Sequence, residues 1–250
     1  MTLAILSAME EECSSLIERM QDIEEMVIAN RTYYEGLLWG KSVVIVFSRW
    51  GKVAAASTTV VLIREFGVSE IIFTGVAGAI DKQLNVGDVV IGTRLYQHDL
   101  DVRPILAQYE IPLLGILSIE SDKTRQAQLY DAATLFVNEQ LTEYIASGNI
   151  QEFSLNNPKV VLAAIATGDQ FITNKNHAAQ IKSNLPDVVC VEMEGGAVAQ
   201  VCDEYDMKFS VIRTISDSAN DESSVDFTKF VSEVAKAYSL GILQNIIEQA

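Results

Sequence analysis

The chain has 250 residues, with 34 acidic against 18 basic side chains, a formal net charge of -16, and 49% hydrophobic against 21% charged residues. That balance describes an ordinary folded globular protein and excludes extensive disorder, while the negative surface repels phosphate backbones and anionic lipid, so neither nucleic acid nor membrane is an expected partner. Three scattered cysteines (Cys13, Cys190, Cys202) and two histidines (His98, His177) give no disulfide framework and no zinc-ligand spacing, which leads us to expect a reducing, cytoplasmic setting, no metal and no cofactor.

In chain order, residues 3–7 form a short apolar run with no basic residue before it, and it meets Glu10, Glu11 and Glu12 at once. This predicts a first strand rather than a signal peptide, and no stretch approaches the length of a membrane span. Residues 10–20 have helical spacing. Two short strands flank the Asn30-Arg31 turn, and residues 42–47 are a β-branched strand. Gly51 opens an Ala-rich helix to about residue 66, and residues 70–74 form a strand ending at Gly75-Val76-Ala77-Gly78, read as a tight turn or a close backbone approach to ligand. A strand runs from residue 89 to 96, and residues 100–121 are irregular, with Pro104 and Pro112. A long helix is expected over 122–147, then strands at 159–166, 188–191 and 209–215, helices at 195–205 and 227–247.

Apolar strands alternating with helices indicate an α/β fold with a central sheet covered on both faces, and nothing divides the chain, so residues 1–250 are expected to form a single domain. In such sheets ligands sit beyond the carboxyl ends of strands. Acids cluster at those ends. Glu10, Glu11 and Glu12 follow the first strand, where they either favour a helix dipole or place one carboxylate to activate water. Val191-Glu192-Met193-Glu194 closes another strand, and its two carboxylates either serve the next helix or accept hydrogen bonds from a diol such as ribose. Asp217, four residues after Arg213, is either a turn residue or a partly desolvated general acid. Cleavage of an N-glycoside, through an oxocarbenium-like state, needs one acid for the leaving base, one carboxylate for water and one for the sugar.

Met9-Glu10-Glu11-Glu12, Gly51-Lys52-Val53-Ala54, Thr74-Gly75-Val76-Ala77-Gly78, Val86-Gly87-Asp88, Gly168-Asp169-Gln170-Phe171, Val191-Glu192-Met193-Glu194 and Ile215-Ser216-Asp217 stand in an order that resembles bacterial 5′-methylthioadenosine/S-adenosylhomocysteine nucleosidases over essentially the whole chain. The resemblance implies a nucleoside phosphorylase-like fold, with a mixed, twisted central sheet flanked by helices, and a homodimer. It implies that Glu12 deprotonates the attacking water with Arg213 helping to hold it, and that Asp217 protonates N7 of adenine. Glu194, with Glu192 beside it, would face the ribose hydroxyls, and Met193 would lie against the sugar. Phe171 would stack on the purine and the Ile172 backbone would read its edge, with Ala77 and Gly78 close by. Phe227 and Met9 would close the alkylthio end. Val225-Asp226-Phe227 fits the family pattern only at Phe227, since relatives often carry serine at the position of Asp226.

Two departures bear on the pocket: Val76 stands where many relatives have a serine, and Trp50 where small or aliphatic residues are usual. Residues 101–115 also diverge after Val102; in the family this stretch comes from the neighbouring subunit and covers the site. Its Ile111, Pro112 and Leu113 are expected to be an exposed apolar patch. The alternatives are a futalosine-type nucleosidase, a purine nucleoside phosphorylase, and a non-catalytic nucleoside-binding domain. A phosphorylase needs an anion site near the first strand, where this chain has three glutamates.

Overall fold

A computed structural model describes residues 1–219, 227 and 229–249. The first half contains β1 (Leu3–Ser7), α1 (Glu10–Ile17), β2 (Gln21–Ile28), β3 (Arg31–Leu38), β4 (Lys41–Phe47), α2 (Lys52–Arg64), β5 (Glu70–Phe73), β6 (Val76–Ala79), β7 (Val89–Gln97) and β8 (Ser118–Glu120). The second half contains α3 (Lys123–Leu135), α4 (Leu141–Tyr144), α5 (Ser147–Glu152), β9 (Val160–Thr167), α6 (Lys175–Asn184), β10 (Val188–Glu192), α7 (Gly195–Glu204), β11 (Lys208–Asp217) and α8 (Lys236–Gln249).

Eleven strands make one mixed sheet, ordered β2-β3-β4-β1-β5-β11-β6-β10-β9-β7-β8. The period of two along each strand divides the core between its faces. Ile5, Val43, Ile45 and Ile72 pack against Cys13, Leu16, Leu129 and Leu243 on one side. Ala4, Leu6, Val44, Val46, Ile71 and Phe73 meet Ala55, Leu62, Val198 and Cys202 on the other. Both faces are therefore covered, which is why these strands read as unbroken apolar runs. Burying each such Leu or Ile side chain stabilises the fold by about 1.5–3 kcal/mol.

β11 organises the centre. Its first half, Lys208 to Val211, pairs in parallel with β5. Its second half pairs in parallel with β6 and antiparallel with β7. Because β6 also joins β10, β10 joins β9, and β9 joins β7, this part of the sheet closes on itself as a small barrel. The register of β11 slips at Ser216: Ile215 pairs with Ala77, but Asp217 pairs with Gly78. Such a bulge turns consecutive side chains toward one side where regular alternation would separate them.

Several elements differ from the sequence expectation. Gly75-Val76-Ala77-Gly78 is not a turn; residues from Val76 onward form β6, in which Ala77, Gly78 and Ala79 carry little strand propensity of their own. Residues 122–147 are not one helix. α3 passes into a π-helical turn, Phe136–Gln140, before α4, and the chain becomes extended at Ile145. The wider turn accommodates the five-residue step between buried Phe136 and Leu141. α6 escaped the hydrophobic pattern because only Ala178 and Ile181 are buried on it; its clearest signal is Asn174, whose side chain accepts from the amides of Asn176 and His177. The short β8 lies within the stretch read as irregular. In the expected apolar patch, Pro112 and Leu113 are exposed but Ile111 is buried; Ile105, outside the patch, is exposed as well. Ile111 is buried because it packs in the core cluster that also holds Leu95 and Ile119.

Candidate active site

A cavity of about 330 Å³ opens where β1, β10 and β11 end. Among the residues that border it are Glu12, Glu192, Glu194, Arg213 and Asp217, together with Met9, Ala77, Gly78, Phe171, Ile172, Met193 and Phe227. The residues given individual roles by the resemblance are thus brought to one place, whereas Glu10 and Glu11 are exposed and do not border the cavity; Val225 and Asp226 lie outside the described residues.

Glu12 is the third residue of α1 and is buried. Its Oε2 accepts from Ser7 Oγ at 3.0 Å and from the Met9 amide at 3.1 Å, and its Oε1 accepts from the Val76 amide at 3.1 Å. The cap role and the site role therefore coincide in one side chain. Burial pushes its pKa up to about 7, against the opposing pull of Arg213 and these hydrogen bonds. Gly75 makes the arrangement possible, since a Cβ there would stand 3.0 Å from Glu12 Oε1.

Asp217 ends β11 and is buried. Ser216 Oγ donates to its Oδ2 at 2.9 Å, and the Ala219 amide to its Oδ1 at 2.8 Å. The bulge at Ser216 places both Ser216 and Asp217 on the cavity. Gly78 leaves room for the carboxylate: a Cβ would approach Asp217 Oδ1 to 2.9 Å.

The two acids around Met193 differ. Glu192 accepts from Arg213 Nη2 at 2.7 Å, from the Gly195 amide at 2.8 Å, from the Glu194 amide at 3.2 Å and from Thr167 Oγ1. These donors make it the anchor for the start of α7 and the counter-charge of Arg213, while it still borders the cavity. Glu194 accepts from the Gly51 amide at 2.7 Å through Oε1. Burial raises its pKa to about 8, with the nearby Glu192 charge adding to the effect. Arg213 is 1% exposed, donates through Nη1 to the carbonyls of Phe73 and Ile212, and lies 4.0 Å over the Phe73 ring. Its Nη1 is committed to these carbonyls and its Nη2 to Glu192, so it presents a fixed positive charge at the border of the cavity.

Apolar side chains line the rest. Phe171 and Phe227 meet edge to face with ring centroids 5.3 Å apart, and Ile172 is buried beneath them. Residues 2–248 match the phosphorylase superfamily model. The chain is 35% identical to a 5′-methylthioadenosine/S-adenosylhomocysteine nucleosidase of Staphylococcus carnosus, over 97% of each chain. It is 34% identical to the nucleosidase of that name from Bacillus cereus, over 100% of this chain and 99% of the relative. This chain belongs to the 5′-methylthioadenosine/S-adenosylhomocysteine nucleosidase family. Its fold superposes on the Neisseria meningitidis nucleosidase in complex with methylthio-immucillin-A with a TM-score of 0.85 and 33% identity, covering 100% of this chain and 99% of the other. Futalosine hydrolase of Helicobacter pylori gives 0.84 at 28% identity, covering 100% and 98%.

Within the nucleosidase family site, sequence reasoning did not single out Ser7 or the Gly51 amide as functional groups. Ser7 is a buried polar residue at the end of an apolar strand, and that contrast is the signal that could have found it. The Gly51 amide left no trace in side-chain chemistry. Of the departures, Val76 contributes through its backbone, which donates to Glu12 whatever the side chain, and Trp50 stands exposed at the lip of the cavity.

Proposed function

We propose that this chain hydrolyses the N-glycosidic bond of 5′-methylthioadenosine and/or S-adenosylhomocysteine, releasing adenine and the thioribose product, with residues 1–250 acting as one nucleosidase domain. The observation that carries this reading is the convergence of Glu12, Glu194 and Asp217 on one cavity whose only cation among the described lining residues, Arg213, is already paired with Glu192. Glu12 takes a proton from water as its oxygen attacks C1′. The C1′–N9 electron pair passes to the base, and Asp217 delivers a proton to N7 so that adenine leaves neutral. A base with a pKa of about 7 is well matched to that step near neutrality. Glu194 keeps Oε1 on the Gly51 amide and turns Oε2 to the ribose hydroxyls, with Met193 against the sugar. Phe171 stacks on the purine, the Ile172, Ala77 and Gly78 backbone surrounds it, and Met9 and Phe227 close the alkylthio end.

Phosphate is an unfavourable nucleophile here, because carboxylates surround the cavity and no uncommitted cation lines it among the described residues. Adenine release from methylthioadenosine is therefore expected at the same rate in phosphate-free buffer and in the presence of a chelator. A requirement for phosphate, with ribose 1-phosphate as product, would overturn hydrolysis. Futalosine offered in parallel reads the second possibility, which the Helicobacter pylori likeness favours and which differs at the 5′ end of the substrate.

The exposed residues Ile105, Pro112 and Leu113 support a homodimer in which residues 101–115 of one subunit cover the site of the other. Sedimentation at micromolar concentration is expected to give a dimer; a fully active monomer would refute this assembly. Among the described residues no helix is long and apolar enough to cross a membrane. Cys13, Cys190 and Cys202 are free and buried, which supports placing the enzyme in a reducing cytoplasm.

A further inference from the structure

Three charged residues just outside the cavity form a closed ring of hydrogen bonds. Lys52 donates its backbone amide to Asp169 Oδ1 at 2.8 Å. Asp169 donates its amide to Asp99 Oδ2 at 2.9 Å, and Asp99 Oδ1 accepts from Lys52 Nζ at 2.6 Å. The members come from the start of α2, the segment after β7 and the segment after β9, and none of them borders the cavity. The Lys52 and Asp99 side chains are only 19% and 24% exposed, so solvent screens this pair less than a surface ion pair. Burial alone would raise the Asp99 pKa, but Lys52 and the Asp169 amide outweigh it and hold it below the usual carboxylate range.

The ring touches the site on two sides. Gly51, next to Lys52, supplies the amide that Glu194 accepts. It does so with φ +89, and a Cβ at that position would meet Asp169 Oδ1 at 3.0 Å, so the backbone of residue 51 lies directly on the ring. On the other side, Asp169 begins the segment that carries Gln170, Phe171 and Ile172 to the cavity. Gly168 is pressed against His98, where a Cβ would stand 2.4 Å from Nε2. The body of α2 is held independently by buried Ala55, Thr58, Thr59 and Leu62. Losing the ring therefore leaves the helix docked but frees its first-turn amides and the purine segment.

We propose that Lys52, Asp99 and Asp169 are positioning residues that hold the Gly51 amide and the Phe171 segment in one fixed relation, so that the sugar-binding Glu194 and the base-binding Phe171 are aligned together. This rests on the nucleosidase reading. The test compares Lys52→Met, Asp99→Asn, the double variant and Lys52→Arg with the wild type, using methylthioadenosine turnover and calorimetric binding of free adenine. Lys52→Met and Asp99→Asn are each expected to raise KM about tenfold, the scale of one charge-assisted hydrogen bond, with a smaller change in kcat. Adenine affinity should fall in parallel, the double variant should lose no more than either single one, and Lys52→Arg should recover most of the loss. A merely structural role would lower the melting temperature and the active fraction while leaving KM and adenine affinity in place. Unchanged KM and adenine affinity, or additive losses in the double variant, would overturn the proposal. If the wild type fails to cleave methylthioadenosine, the functional reading falls instead, and the adenine titrations still decide whether the ring aligns the base segment.

Discussion

Replacing Asp217 with asparagine is expected to lower kcat by about 10²–10⁴-fold, the usual contribution of a general acid. The substitution is sterically quiet: asparagine keeps the size that Gly78 makes room for and can still accept from the Ala219 amide. What it lacks is an acidic proton. Without it adenine must depart with its electron pair uncompensated, and that deficit exists in the transition state and not in the bound nucleoside. KM and the affinity for free adenine should therefore change little, so the loss appears almost wholly in kcat. Steady-state kinetics with methylthioadenosine, paired with adenine titration, check this. Near-normal turnover by Asp217→Asn would mean that the proton comes from another group.

Glu12→Gln should be comparably slow, about 10²–10⁴-fold, for a different reason. The carboxylate sits among three donors, Ser7 Oγ and the amides of Met9 and Val76. A carboxamide offers only one oxygen to that ring of donors, so one N–H or O–H must face an NH₂ group, and the base that directs water is gone. The wild-type pH profile carries the same residue. Because burial raises the Glu12 pKa to about 7, kcat/KM should climb as pH passes through neutrality and the base ionises, and the residual activity of Glu12→Gln should lack that limb. The sign for stability is opposite. Below the ordinary carboxylate value Glu12 is protonated in folded and unfolded chains alike and contributes nothing. Between there and about 7 the unfolded chain releases its proton while the folded one retains it, so stability falls as pH rises. Above about 7 both forms are ionised and the penalty is constant. Chemical denaturation at two pH values should show this dependence weakened in Glu12→Gln. An acid limb that survives the substitution would assign it to another group.

Much of the site was legible because its acids stand where strands stop. Glu192 and Asp217 each end a run of β-branched or apolar residues and Glu12 follows another, so a one-dimensional reading already located the open end of the sheet. The chemistry of individual acids was less legible. Glu192 and Glu194 are two residues apart and of one type, yet Thr167, Arg213 and two backbone amides occupy the first, while the second turns to the cavity. That difference depends on partners 21 to 143 residues away, which no local pattern records. The same limit explains β6: Gly75 and Gly78 on either side of Val76 and Ala77 read as a turn, and pairing with β10 and β11 makes the segment a strand. Helical spacing succeeded where a face is buried, as in α1, and failed at α6, whose buried stripe is too thin to register.

The central place of β11 has a consequence for how this protein is made. The strand that joins β5, β6 and β7 ends at Asp217, late in the chain, so every earlier part of the sheet is synthesised before its middle exists. Until then β5 and β6 each present a bare edge of unpaired amides and carbonyls, beside apolar side chains such as Ile71, Phe73 and Ala77, to anything in the crowded volume near the ribosome. Glu12 is made early and waits for more than two hundred residues before Asp217 can face the same cavity. Partial chains are accordingly inert and adhesive together: the threading of one late strand both switches on the chemistry and removes the surface most prone to aggregate.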